Sequence, residues 1–247
     1  MVDTVLGLSR LPLEYADSNL HATGLWHNII KQKLLKRNIF SLKLSKSPDT
    51  DGEIMFGGVN HDLFEGDLQS IKTTEVPHDS SSEYFGPGWQ VPAHSLQFDD
   101  IEEDLSNYTA VFGTTDPWFD IPYPLWDKLR ERCGGIRDPS GGPDRVPCER
   151  RAVLPDLVIR LGIAGEEIAV TISAMDYILA MPTVDGKTAC ALPWGGHRIQ
   201  DDEPLFIFLG TAFLGGIYSV WDQDEATISC KYIVPDISVL IGKIVLE

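Results

Sequence analysis

Basic residues are scarce in this chain. Its 247 residues include 20 Lys and Arg against 37 Asp and Glu, for a formal net charge of -17. That balance excludes a nucleic-acid partner, because phosphate binding by counterion release needs clustered cations. The one basic cluster, Lys31, Lys33, Lys36 and Arg37, has the spacing of a solvated helix face. Long apolar runs are missing too. None approaches the roughly 20 residues that cross a bilayer, so no membrane partner is expected. The opening MVDTVLGLSRLPLEY has no basic start followed by an apolar run, so it does not read as a signal peptide.

Metal-binding patterns are equally absent. The four cysteines, Cys133, Cys148, Cys190 and Cys230, form no C-x-x-C pair, and none of the six histidines stands in H-E-x-x-H. No metal and no cofactor are expected. The glycine-rich stretch around Gly134, Gly135, Gly141 and Gly142 lacks the G-K-[ST] ending of a phosphate loop and reads as an ordinary loop. One sequon is present, Asn107-Tyr108-Thr109, which makes Asn107 a glycosylation candidate.

What the chain does have is strands. FSLKLS (Phe40 to Ser45) alternates apolar and polar residues at the period of a half-buried strand, and GEIMFGG (Gly52 to Gly58) after a polar turn completes a hairpin. WQVPAHSLQF (Trp89 to Phe98) reads as a strand with Pro92 at an edge or a bulge. LPDLVIRLGIAGEEIAV (Leu154 to Val170) reads as two strands around the turn Gly162 to Gly165. PLFIFLG (Pro204 to Gly210) has the look of a buried strand, and GIYSVWD with ATISCKYIV forms a closing hairpin. Helices are few. LWHNIIKQKLLK (Leu25 to Lys36) places Leu25, Ile29 and Leu34 near one face, and LWDKLRER (Leu125 to Arg132) is a shorter helix. Ser47 to Asp51 and Glu75 to Tyr84 read as polar surface loops. Many short strands with Gly and Pro turns define an all-β fold class.

Taken in order, these segments resemble the pepsin-like aspartic peptidases. DTVLGL (Asp3 to Leu8) looks like the family's D-G-I-L-G-L strand. GEIMFGGVNHDLFEGDL resembles the hairpin that leads into the C-terminal lobe, and GWQVPAHSLQF the strand ahead of the second catalytic loop. LPDLVIRLGIAGEEIAV followed by DYIL is similar to L-P-x-[IL]-x-F and Y-I-L. FIFLGTAFLGGIYSVWD resembles I-L-G-D-x-F-L-R-x-Y-Y-x-V-F-D. AVFGTTDPWFDIP (Ala110 to Pro122) is similar to A-I-V-D-T-G-T-S-L-I-x-x-P at the same length. The resemblance implies a pepsin-like acid protease fold, truncated to one complete lobe at 39–247 plus a remnant of the N-terminal lobe at 1–38.

The departures from the family pattern fall on its chemistry. Gly113 stands where the resemblance places the catalytic aspartate. Thr114 matches, Thr115 replaces a glycine, Asp116 replaces a hydroxyl residue, and Thr211 replaces the aspartate after Gly210. The family's reaction needs two facing carboxylates that share one proton, and glycine carries none. Thr115 is expected to be strained if its φ is positive. The first D-T-G loop of the family lies upstream of D-G-I-L-G-L and has no counterpart here.

The implied function is therefore a truncated endopeptidase homologue without catalysis. The alternative is an active acid endopeptidase, completed by upstream sequence or by homodimerisation around Asp116. The plainer role for Asp116 is an Asx-turn before Pro117. Asp120 is expected at the surface, and Trp118 and Phe119 in the core. The resemblance further implies a Cys148–Cys190 disulfide, a peptide or protein partner, and an extracellular or secretory location. Cys133 and Cys230 have no assigned counterpart. Leu6, Leu8 and Val5, next to the absent lobe, are expected to be incompletely covered and to favour association.

Overall fold

The alternation in LVIRL and IAVTI produces the clearest element of the chain, an antiparallel hairpin in which Leu157, Ile159 and Leu161 pair with Ile172, Val170 and Ile168 and all six side chains are buried. Its turn uses Gly162 and Gly165 at φ 118 and 89, in the left-handed region open to glycine. The computed structural model describes residues 6–10, 24–45, 51–74, 88–114, 118–139, 141–183, 186–199 and 205–232, and the strand at 244–246. Thr115, Asp116, Val5 and the loop at 75–84 lie outside the described residues, as does most of the loop at 47–51.

Within the described residues the strands are β1 (Ile39–Lys43), β2 (Glu53–Phe56), β3 (Gln69–Lys72), β4 (Gln90–Phe98), β5 (Ile101–Asp104), β6 (Thr109–Phe112), β7 (Phe119–Pro122), β8 (Asp144–Val146), β9 (Leu157–Leu161), β10 (Ile168–Ile172), β11 (Leu179–Pro182), β12 (Thr188–Leu192), β13 (Trp194–His197), β14 (Phe206–Leu209), β15 (Ile217–Asp222), β16 (Thr227–Tyr232) and β17 (Ile244–Leu246). They form a six-stranded sheet in the order β17-β2-β1-β15-β16-β3. A second sheet runs β10-β9-β4-β6-β14-β7-β13 with β5 on β4, and a small third sheet runs β11-β12-β8. The helices are α1 (Leu25–Lys31), α2 (Tyr123–Cys133), α3 (Ala174–Tyr177) and α4 (Thr211–Leu214). The fold is all-β with short helical additions.

An aromatic seam joins the two large sheets. Phe40 on β1 stacks on Trp221 of β15 at 5.7 Å, Trp221 meets Trp89 at 5.3 Å and Phe112 at 5.6 Å. Phe112 reaches Phe213 of α4 at 6.0 Å. Such pairs add to burial when the rings meet edge to face or offset. α2 closes with Gly134 at φ 71, where Gly135 N–H donates to the Arg130 carbonyl at 2.8 Å, a glycine cap on the helix end.

Two expectations change and one narrows. β1 is covered on both faces rather than half-buried. Phe40 and Leu42 enter the main core, while Ile39 joins a satellite of Leu63, Phe64, Tyr218 and Val220. The polar Ser41 is tolerated inside because it accepts from Tyr218 Oη at 2.8 Å and donates to the Gly58 carbonyl at 3.2 Å. α1 ends at Lys31, and Lys33 has φ 52, so the helical period stops before Leu34 applies. Its buried side chains are Trp26, His27 and Ile29, whereas Leu25 and Leu34 are 47% and 61% exposed. Trp26 wins the core because it meets Phe40 at 5.0 Å and Phe56 at 5.9 Å. Pro92 sits in a central strand, not at an edge. The register shifts beside it, between Ala93 and Ser95, so the bulge reading holds.

Candidate functional site

The described parts of AVFGTTDPWFDIP, Ala110 to Thr114 and Trp118 to Pro122, form two strands with a third strand threaded between them. β14 lies parallel to β6 and antiparallel to β7. Its end pins the corner from both sides. Gly113 N–H donates to the Leu209 carbonyl at 3.3 Å, and Gly210 N–H donates to the Trp118 carbonyl at 3.0 Å. Phe119 is buried as expected and meets Trp194 at 6.2 Å, and Trp118 is half-buried. Thr211 opens α4 directly after its N-cap, Gly210.

Strand alternation puts one row of residues on a single face of the sheet. Gln90 pairs with Val111, Val111 with Phe208, Phe208 with Asp120, and Asp120 with Gly195. Gly113 continues β6 two residues past Val111. A Cβ built on Gly113 would lie 2.6 Å from Phe208 Cζ and 2.9 Å from its Cε2. Gly113 is not among the residues with positive φ. Glycine is therefore needed here for room and not for backbone conformation. Any side chain at 113, a carboxylate included, requires the Phe208 ring to move. The corner presents Gly113 half-exposed and Thr114 exposed, and neither ionises.

A titratable pair stands on the same face. Asp120 Oδ1 and His197 Nδ1 lie 3.7 Å apart, and neither atom has a hydrogen-bond partner among the described residues. Asp120 is half-buried rather than at the surface, because β13 packs alongside it: a side chain at Gly195 would begin 2.8 Å from Asp120 Oδ1. His197 is held by stacking on Phe206 at 4.3 Å with an interplanar angle of 7°. Phe208 and His197 are the residues that the sequence reading missed. The signal for Phe208 was available in FIFL, whose alternation sends Phe206 and Phe208 to the face opposite Ile207 and Leu209.

Among the described residues no group of three or more His, Cys, Asp or Glu is placed to hold a metal ion. A depression of about 140 Å³ is lined by Gln69, Ile168, Val170, Ile217, Cys230 and Tyr232, none of them in the corner. It is smaller than a typical ligand pocket of about 300–1,000 Å³. Cys148 and Cys190 form the disulfide that the resemblance implies. Cys133 and Cys230 are free and buried, and burial pushes each thiol up to about 12.

A strand threaded between the two arms of a Gly-Thr corner, with a six-stranded sheet behind it, defines the pepsin-like acid protease fold. The sequence profile described as eukaryotic aspartyl protease matches residues 1–231, and the chain belongs to that family. It is similar to human cathepsin D, 29% identical over 205 residues that cover 80% of this chain and 45% of the relative. It is also similar to the aspartic-type endopeptidase ctsD of Aspergillus fumigatus, 28% identical over 227 residues covering 91% of this chain and 42% of the relative. The chain thus spans less than half the length of these curated relatives. The crystal structure of an aspartic proteinase from Irpex lacteus superposes with a TM-score of 0.72 at 19% identity, covering 95% of this chain and 69% of the other.

Proposed function

We propose that this chain is a non-catalytic member of the pepsin-like endopeptidases, which keeps the fold and has lost the chemistry. Residues 39–247 are its C-terminal lobe and 1–38 a remnant of the N-terminal one. The observation that carries this reading is the contact between Gly113 and the ring of Phe208. Peptide hydrolysis of this type uses two carboxylates a few ångströms apart that share a proton. Here the position assigned to one of them has no ionisable group, and the space a carboxylate would enter is filled by an aromatic ring. The reading does not depend on what sequence accompanies the chain, because the vacant position belongs to this lobe. What remains is a β-lobe suited to holding a peptide or protein partner rather than cutting it. The Cys148–Cys190 bridge supports a secretory location, since disulfides persist in oxidising compartments.

The test is an assay of the purified chain on denatured haemoglobin at roughly pH 3–5, with and without pepstatin, because carboxylate dyads of this kind work while holding one proton. No pepstatin-sensitive cleavage is expected at any protein concentration. Cleavage that rises steeply with concentration and vanishes in Asp116→Asn would overturn the reading in favour of a homodimer with Asp116 as the working carboxylate.

A further inference from the structure

We infer that Asn107 carries an N-linked glycan, attached while the chain is being synthesised. The inference rests on the secretory reading above. Asn107-Tyr108-Thr109 is the single Asn-x-[ST] triplet of the sequence, and the fold presents its first residue to solvent. Asn107 is exposed in a turn between β5 and β6. The turn is closed by Tyr108 N–H donating to the Leu105 carbonyl at 2.8 Å and braced by Ser106 N–H donating to Asp104 Oδ1 at 2.8 Å. Leu105, 1% exposed, anchors it from below. An exposed, anchored turn accepts a bulky polar substituent without loss of packing.

The second observation is the disulfide. Cys148–Cys190 forms in an oxidising compartment, and the glycan donor of secreted proteins is met on the same route. In the transfer, Asn107 Nδ2 forms a bond to the anomeric carbon of an oligosaccharide carried on a lipid diphosphate. The anomeric C–O bond breaks, the lipid diphosphate leaves with the electron pair, and the amide releases one proton. Nothing is oxidised or reduced.

Timing follows from the sheet. The transferase must reach the hydroxyl of Thr109, but in the folded chain Thr109 lies in β6 between β4 and β14. It pairs with Pro92 and Phe206, and its N–H donates to the Leu205 carbonyl at 2.9 Å. β14 is synthesised last of the three. At about 5–20 residues per second, the stretch from Thr109 to Phe206 takes roughly 5–20 s, and β6 stays open on one side for that time. Asn107 and Gly113 lie beyond opposite ends of β6, whose four residues span about 13 Å at the rise of a strand, so the glycan does not crowd the corner.

The full chain is translated behind a cleavable secretion leader in the presence of microsomal membranes. One mobility shift is expected, removable by peptide-N-glycosidase, retained in Thr109→Ser and lost in Asn107→Gln and in Thr109→Val. An unshifted wild type, or a shift that survives Asn107→Gln, overturns the site. Chain completed and folded before the membranes are added is expected to stay unshifted, and modification of that material overturns the timing. Because the leader is supplied, a negative result counts against Asn107 and not against the secretory location. That location is read separately, by protease protection of the chain in its native cells.

Discussion

The ring of Phe208 and the α-carbon of Gly113 are fitted to each other, with no space between them for a methylene group. Gly113→Asp alone is therefore expected to destabilise the fold by about 1–3 kcal/mol, the usual cost of overpacking. Phe208→Val removes the obstruction, so the double variant recovers most of that loss. A double-mutant cycle by urea denaturation is expected to give a favourable coupling of about 1 kcal/mol or more. Additive effects would mean that the ring does not restrict position 113.

The disulfide provides a second test. The bridge spans a sequence separation of 42 and ties β12 to the chain just past β8. In the chain-entropy picture, closing that loop is worth about 4 kcal/mol, so Cys148→Ala with Cys190→Ala is expected to lower stability by about 2–4 kcal/mol in chemical denaturation. The two free thiols give an internal control. Burial pushes Cys133 and Cys230 up to about 12, so an aromatic disulfide reagent at neutral pH is expected to find no fast-reacting thiol in native protein and two after denaturation. Fast labelling of the native protein would show that one of these sites opens.

Much of the architecture could be read in the sequence because it is local. Short apolar-rich runs placed the hairpins β1–β2, β9–β10 and β15–β16, and Gly162 and Gly165 marked the turn of the second. The order of the segments gave the fold class and the disulfide through the family resemblance. Side-chain roles that depend on distant strands were not legible. Phe208 is set against Gly113 only because β14 threads between β6 and β7, and His197 faces Asp120 only because β13 adds in parallel to β7. Alternation says that Phe208 points away from Ile207 but not which backbone it will meet. The α1 face was misjudged for a related reason: the helix is short, and the side chain with the better aromatic partners, Trp26, takes the core.

Exposed leucines near the amino-terminal strip carry an expectation about association. Leu6 and Leu25 are 38% and 47% exposed, and their chain neighbours Gly7 and Trp26 are joined, Trp26 N–H donating to the Gly7 carbonyl at 3.4 Å. Exposed apolar side chains on neighbouring segments favour self-association. Leu6→Ser with Leu25→Ser is expected to shift the light-scattering mass toward monomer with little change in stability. A wild type that stays monomeric at high concentration would sink the expectation.

The last expectation concerns acid. Asp144 on β8 is 3% exposed, with Oδ2 lacking a hydrogen bond among the described residues and Arg130 Nε 3.9 Å away. Burial raises its pKa above the ordinary carboxylate range, and the nearby Arg130 and Arg137 only partly offset this. A carboxyl group raised on folding holds its proton more tightly in the native state than in the unfolded chain. Its favourable contribution is therefore complete below the ordinary carboxylate pKa and is lost as pH rises through the raised value. Above that value the buried charge weighs against the fold. Asp144→Asn keeps the shape and removes the charge, so it is expected to stabilise the chain at neutral pH, with the gain shrinking to nothing as the medium is acidified. Arg130 keeps a partner in either case, since its guanidinium also donates to Asp127 Oδ1 at 2.9 Å. Urea midpoints of both proteins across the acid-to-neutral range decide the matter: a variant less stable than the wild type at neutral pH, with the deficit closing as the medium is acidified, would mean that the ion pair with Arg130 outweighs the burial of Asp144.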